Sequence, residues 1–114
     1  MKEFSLKPVT KEIRIKLDGI EQAIVLKRIS GGERNEAYRQ ATKTNITMNG
    51  QANATIDTFM VKELLLTKGI ISAPFHTDLA GVKALDHELQ DYLYEEFDNL
   101  NEVNEKKSQN GENN

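Results

Sequence analysis

The chain has 114 residues, 38% of them hydrophobic and 29% charged, with a mean hydropathy of -0.59 and a formal net charge of -3. That is the size of one domain and the balance of a globular chain with a polar surface. The absence of cysteine excludes disulfides and thiolate zinc sites, and with no Trp and few aromatics the core must be mainly aliphatic.

The charge is unevenly spread. Residues 1–43 carry 10 basic and 6 acidic side chains, a net +4, whereas residues 86–105 carry 8 acidic side chains and no Lys or Arg. Such an asymmetry favours head-to-tail association or a basic partner, and a solvated acidic helix face is the plain alternative. "MKEFSLKPVTKEIR" has no apolar signal-peptide centre, and the absence of cysteine suits the cytosol.

Ile13, Ile15 and Leu17 alternate with Glu12, Arg14 and Lys16, the period-two pattern of a half-buried strand. Asp18-Gly19 follows and marks a two-residue hairpin turn, since both positions tolerate positive φ. The return strand is expected over 20–29. Phe4 and Leu6 alternate as well and suggest a third short strand, with Pro8 at its end. Ser30-Gly31-Gly32-Glu33 reads as a capping box opening a helix over 31–43, whose apolar face is only Ala37, Tyr38 and Ala41.

"TNITMNGQ" reads as a loop turned by Asn49-Gly50. A helix is expected over 51–68, with Ile56, Phe59, Met60 and Leu64 at helical spacing and packed inward, and with Val61, Leu65 and Leu66 widening the stripe. Gly69 then serves as a left-handed stop, with Ile70 folding back onto Leu65. Asp57, Lys62, Glu63 and Lys68 interrupt this oily stretch, so it falls short of the ~18 uninterrupted apolar residues of a membrane span. "IISAPF" is an apolar connector that Pro74 keeps from being helical. A short helix over 78–85, capped by Thr77, leads to a last helix over 87–104 capped by Asp86. That helix shows an apolar stripe of Leu89, Tyr92, Leu93, Phe97, Leu100 and Val103 and an acidic back of Asp91, Glu95, Glu96 and Asp98.

Taken together, the pattern predicts an α+β fold. An N-terminal β-hairpin region over 1–29, with up to three short strands, packs on a mainly helical region of three to four helices over 31–104. Residues 105–114, without an apolar side chain, are expected to be disordered.

Signals for chemistry are sparse. His87 and Asp91 share a helical face, but two ligands do not close a metal site. Gly31-Gly32 lacks the Lys-[ST] of a phosphate loop, and Glu33 would repel an anion. The basic N-terminal third mixes acids with bases and lacks the aromatic platform of a single-strand binder. Asn45-Ile46-Thr47 and Asn53-Ala54-Thr55 match the glycosylation acceptor pattern, a chance match in a chain expected to stay in the cytoplasm. No catalytic residue, cofactor or metal is therefore expected. The expected sites are two apolar stripes at the i, i+3, i+4 spacing of helix-in-groove contacts: Ile56, Phe59, Met60 and Leu64, and Leu89, Tyr92, Leu93 and Phe97.

Three stretches carry a resemblance: "TKEIRIKLDGIEQAIVLKRISGGERNEAYR", "IDTFMVKELLLTKGIISAPF" and "DLAGVKALDHELQDYLYEEFDNLNEV". In layout, the chain up to about Val103 resembles the tail assembly chaperones of long-tailed bacteriophages of Gram-positive hosts. The resemblance implies a non-enzymatic protein of the host cytoplasm, absent from the mature virion. Such a protein binds the tape measure protein, keeps it soluble, recruits tail tube protein and forms homo-oligomers. It also implies a longer form made by translational frameshift, for which the codons of Glu105-Lys106-Lys107 are the place to look. The alternatives are a small phage structural or connector protein and, less well matched to the acidic run, a nucleic-acid-binding regulator.

Overall fold

The computed structural model describes residues 1–102. In chain order the elements are β1 (Thr10–Leu17), β2 (Ile20–Lys27), α1 (Gly31–Ala41), β3 (Thr42–Ile46), β4 (Ala52–Ile56), α2 (Thr58–Gly69), β5 (Ile70–Ser72), α3 (Leu79–Lys83) and α4 (His87–Asn101). The fold is α+β, with an N-terminal antiparallel hairpin followed by helices, as the patterning predicts. The tail expected to be disordered over 105–114 lies outside the described residues, as does Val103.

β1 and β2 pair antiparallel in unbroken register, Leu17 opposite Ile20 and Ile13 opposite Ile24. The turn between them has Asp18 at φ 52° and Gly19 at φ 81°, the backbone that an Asp-Gly hairpin turn demands. β5 adds to the other edge of β2, with an irregularity between Val25 and Leu26, and gives a sheet of order β1-β2-β5. The third strand thus comes from "IIS" within the supposed connector. Phe4 and Leu6 belong to no strand and are exposed; β1 begins only after Pro8 and Val9.

Ile13, Ile24, Leu26 and Ile70 carry the sheet's share of the core. Ala37 and Ala41 of α1, Val61, Leu64, Leu65 and Leu66 of α2, Val82 of α3, and Leu93 and Phe97 of α4 complete it. It is aliphatic but for one ring.

Ser30 accepts from the Glu33 N–H at 3.1 Å, and the Glu33 carboxylate accepts from the Ser30 N–H at 3.0 Å, completing the expected capping box. Lys27 adds an ion pair to Glu33 at 3.1 Å. The Ser30 N–H holds the Glu33 carboxyl below its ordinary value of 4.5; burial opposes this, and Lys27 assists. A carboxyl depressed by folding contributes stability that is present above the ordinary value and is lost as pH falls through the folded one. Glu33→Gln is therefore expected to flatten the acid limb of the urea-midpoint profile below about pH 4.5 and to leave the neutral limb nearly parallel to wild type.

α1 stops at Ala41 rather than 43, because Thr42 turns extended at φ -95° and ψ 128° and enters β3. β3 and β4 pair antiparallel, with Thr42 opposite Ile56 and Ile46 opposite Ala52. The loop expected over this stretch is thus a second hairpin, and the helix expected to begin at 51 begins at Thr58. Asp57 stops the helix from extending backward: its carboxylate accepts from the Phe59 and Met60 N–H groups, each at 3.1 Å, and caps α2. Its own N–H donates to the Ala41 carbonyl at 2.9 Å and closes the base of the hairpin.

At its other end α2 includes Gly69, and Ile70 leaves in an extended conformation with its N–H on the Leu66 carbonyl. The expected left-handed stop at Gly69 does not occur; among the described residues, positive φ at glycine is confined to Gly19 and Gly50. The glycine is required for space instead. A Cβ at residue 69 would clash with Cδ2 and Cε2 of the Phe97 ring.

α3 is capped by Asp78, whose carboxylate accepts from the Gly81 N–H at 2.9 Å, rather than by Thr77. α4 is capped by Asp86, as expected, and ends at Asn101 rather than 104. Asn101 ties that end to the sheet. Its Oδ1 accepts from the Ile29 N–H at 2.9 Å, and its Nδ2 donates to the Phe97 carbonyl at 2.9 Å. Arg28 adds a bond to the Glu102 carbonyl at 2.8 Å. Among the described residues, no helix is long and apolar enough to cross a membrane.

Candidate partner-docking surface

The two apolar stripes expected to bind a partner divide between inside and outside. Leu64, Leu93 and Phe97 are buried in the core, and Met60 and Leu89 are half-buried against it. Of these five, Phe97 borders the cleft between α1 and α4. Ile56, Phe59 and Tyr92 are exposed, Phe59 most of all at 80%. The expectation that Ile56 and Phe59 pack inward is therefore overturned. The inward face of α2 is Leu64, as expected, together with Val61, Leu65 and Leu66, which were expected only to widen the stripe. The reason is the late start of α2. Ile56 lies in β4, so it contributes nothing to the helical stripe, and Phe59 sits in the first turn, beyond the core's edge.

The β3–β4 arm is an unpartnered surface among the described residues. Every residue of both strands except Thr42 is exposed. Its register places Thr42, Thr44 and Ile46 on one face with Ile56, Ala54 and Ala52, and puts Lys43, Asn45, Asn53 and Thr55 on the other. One face is thus apolar and the other polar. Thr47 to Gln51 make the tip, where the Thr47 N–H donates to the Gln51 carbonyl at 2.8 Å and Gly50 takes φ 79°. Met48 stands fully exposed there. From Thr44 to Ile56 there is no charged residue. A lone two-stranded hairpin is marginal in water, and exposed edges normally carry charges or proline against unwanted pairing. This arm has no proline and a single charge, Lys43 at its base.

Where the arm leaves α1, a shallow open groove of about 450 Å³ is lined by Asn35, Tyr38, Arg39, Thr42 and Thr44. It joins the exposed face of α1 to the apolar face of the arm. A second cleft of about 410 Å³ lies between the start of α1 and the end of α4, with Arg34, Tyr38, Tyr94 and Asp98 among its walls.

α4 presents the acidic face. Glu88, Asp91, Glu95 and Asp98 fall at successive i+3 or i+4 positions, with no Lys or Arg in the helix. Lys62 of α2 donates to Asp91 and lies 5.6 Å from the centre of the Tyr94 ring. That Lys62 contact, with a smaller contribution from His87, holds the Asp91 carboxyl below its ordinary value. Burial pushes the Tyr94 phenol up. Lys11 of β1 pairs with Glu96 at 2.7 Å, which raises the Lys11 ammonium and locks the outer strand to the helix. His87 and Asp91 gain no third ligand: the described residues contain no group of three or more side chains able to hold a metal.

The signals for the arm were present in the sequence. Asn49-Gly50 is a hairpin turn, and Thr42-Thr44-Ile46 and Ala52-Ala54-Ile56 alternate with polar neighbours. They were faint because Ile46 and Ile56 are the only large apolar side chains in the two strands. The chain matches no protein-family model, no curated protein and no solved structure.

Proposed function

We propose that this protein is a non-enzymatic phage tail assembly chaperone, working in the host cytoplasm and absent from the finished virion. It binds the tape measure protein, keeps it soluble and helps recruit tail tube subunits, and it does so as a homo-oligomer. The reading rests on the sequence resemblance and is supported by one observation. A chain of this size leaves Ile56 and Phe59 exposed beside an arm that is uncharged from Thr44 onward and carries Ile46 and Met48. An apolar patch kept on the surface of a small protein is suited to covering another apolar surface. A long helical client whose apolar faces would otherwise meet water offers such a surface, and binding it needs no reacting group.

The test is co-purification. Wild-type protein co-expressed with a tape measure protein is expected to purify with it. Phe59→Ser, at an exposed position, is expected to melt within about 0.5 kcal/mol of wild type and to retain at least tenfold less client. A wild-type protein that retains no tape measure protein, or a Phe59→Ser variant that retains it in full, contradicts the proposal.

A further inference from the structure

We infer that the apolar face of the β3–β4 arm, with the Tyr38–Arg39 groove at its base, is the seat for the outer face of α4 from a second copy of this chain. The inference deepens the proposed homo-oligomeric reading by naming the contact between copies, and it rests on that reading for self-association alone.

Complementarity of charge and shape carries it. The groove side offers Tyr38, 43% exposed, with Arg34 one turn before it and Arg39 beside it. Arg39 shares its charge with Glu36 at 3.3 Å, an exposed pair held only weakly. Beyond them the arm continues as Thr44, Ile46, Ala52 and Ala54, without charge. The outer face of α4 offers the matching set. Tyr92, 39% exposed, has Glu88 four residues before it and Glu95 three residues after it. One surface is a groove with an aromatic and Arg39 in its wall that runs into the uncharged face of the arm, and the other is a helical ridge with an aromatic edged by carboxylates.

Each surface is also unsatisfied by itself. Glu88, Asp91, Glu95 and Asp98 repel one another at i+3 and i+4 spacing, and of these only Asp91 forms an ion pair among the described residues. Cations arriving from another molecule relieve that repulsion. The arm, two strands alone, gains from a third element laid across its face. The acid that repels and the strand that lacks a cover are answered by the same contact.

The two surfaces are different, so the contact is heterologous. Each copy keeps one free groove and one free helix, and association propagates to a ring or a filament. The experiment is sedimentation velocity of the full chain at rising concentration and at two ionic strengths. Wild type is expected to associate beyond a dimer and to weaken as salt rises. Arg39→Glu and Ile46→Asp, each blocking the groove, and Tyr92→Asp, blocking the helix, are each expected to lower association at least tenfold with melting unchanged. The decisive arm mixes Arg39→Glu with Tyr92→Asp. The intact helix of the first fits the intact groove of the second, so the mixture is expected to give a one-to-one dimer that neither variant forms alone. A wild type that stays monomeric at every concentration overturns the inference. So does a mixture that restores nothing, or association that ignores all three substitutions. Phe59→Ser and Arg39→Glu separate the two proposals. Association retained by Phe59→Ser with the client lost leaves this contact standing, and client retained by a non-associating Arg39→Glu leaves client binding standing.

Discussion

Replacing Phe97 with Ala is expected to cost about 3–5 kcal/mol of stability, a third or more of what a domain of this size commonly has. Phe97 is 3% exposed and is the only aromatic ring in the buried core. It fills the space over Gly69 at the end of α2 and stacks on Tyr94 with ring centres 6.1 Å apart. Its carbonyl accepts from Asn101, the residue that fastens α4 to the end of β2. Removing the ring leaves a cavity beside Gly69, which has no side chain to fill it. Urea unfolding followed by circular dichroism measures the loss. A cost under 1 kcal/mol would mean that α4 does not pack as described.

The second large effect is at Gly81. A Cβ there would land on the main-chain carbonyl of His76, which cannot rotate away as a flexible side chain would. Gly81 also donates to the Asp78 cap, and the next residue, Val82, is fully buried. Either α3 lifts off α2 or the segment before it moves. Gly81→Ala is expected to cost about 3 kcal/mol, at the upper end of overpacking effects. Gly32→Ala is the control, since its Cβ meets nothing closer than the Ser30 hydroxyl oxygen at 3.8 Å. It should stay within about 0.5 kcal/mol of wild type in the same melt. Equal effects at the two glycines would refute the close approach.

These two sites show what could and could not be read beforehand. Local chemistry was legible wherever a single short pattern decides the backbone. Asp18-Gly19 gave its turn, Ser30 and Glu33 their box, Asp86 its cap, and α4 its stripe. Long-range contacts were not. Gly69 looked like a stop signal because glycine commonly ends helices, whereas here it makes room for a ring 28 residues away in sequence. "IIS" looked like a connector because three residues are too few to show a period, and only pairing with β2 makes them a strand. The arm was the largest omission. A strand exposed on both faces has no buried side to write an apolar alternation, so Ile56 was counted into the next helix. Its apparent spacing to Phe59 and Met60 then placed the exposed Ile56 and Phe59 inside and left the buried Val61, Leu65 and Leu66 as a mere widening of the stripe. The same error merged two kinds of apolar residue, those that hold the fold and those left for a partner.

That separation is the core of the functional account, and client solubility tests it most directly. A tape measure protein is expressed alone, with wild type, with Phe59→Ser and with Phe97→Tyr, and its soluble fraction is measured after lysis. Soluble client is expected with wild type and with Phe97→Tyr, a buried change that leaves the surface intact. The Phe59→Ser protein is expected to be folded and to leave the client in the pellet, as in its absence. A client equally soluble with wild type and with folded Phe59→Ser, or equally insoluble with wild type and without it, would contradict the account.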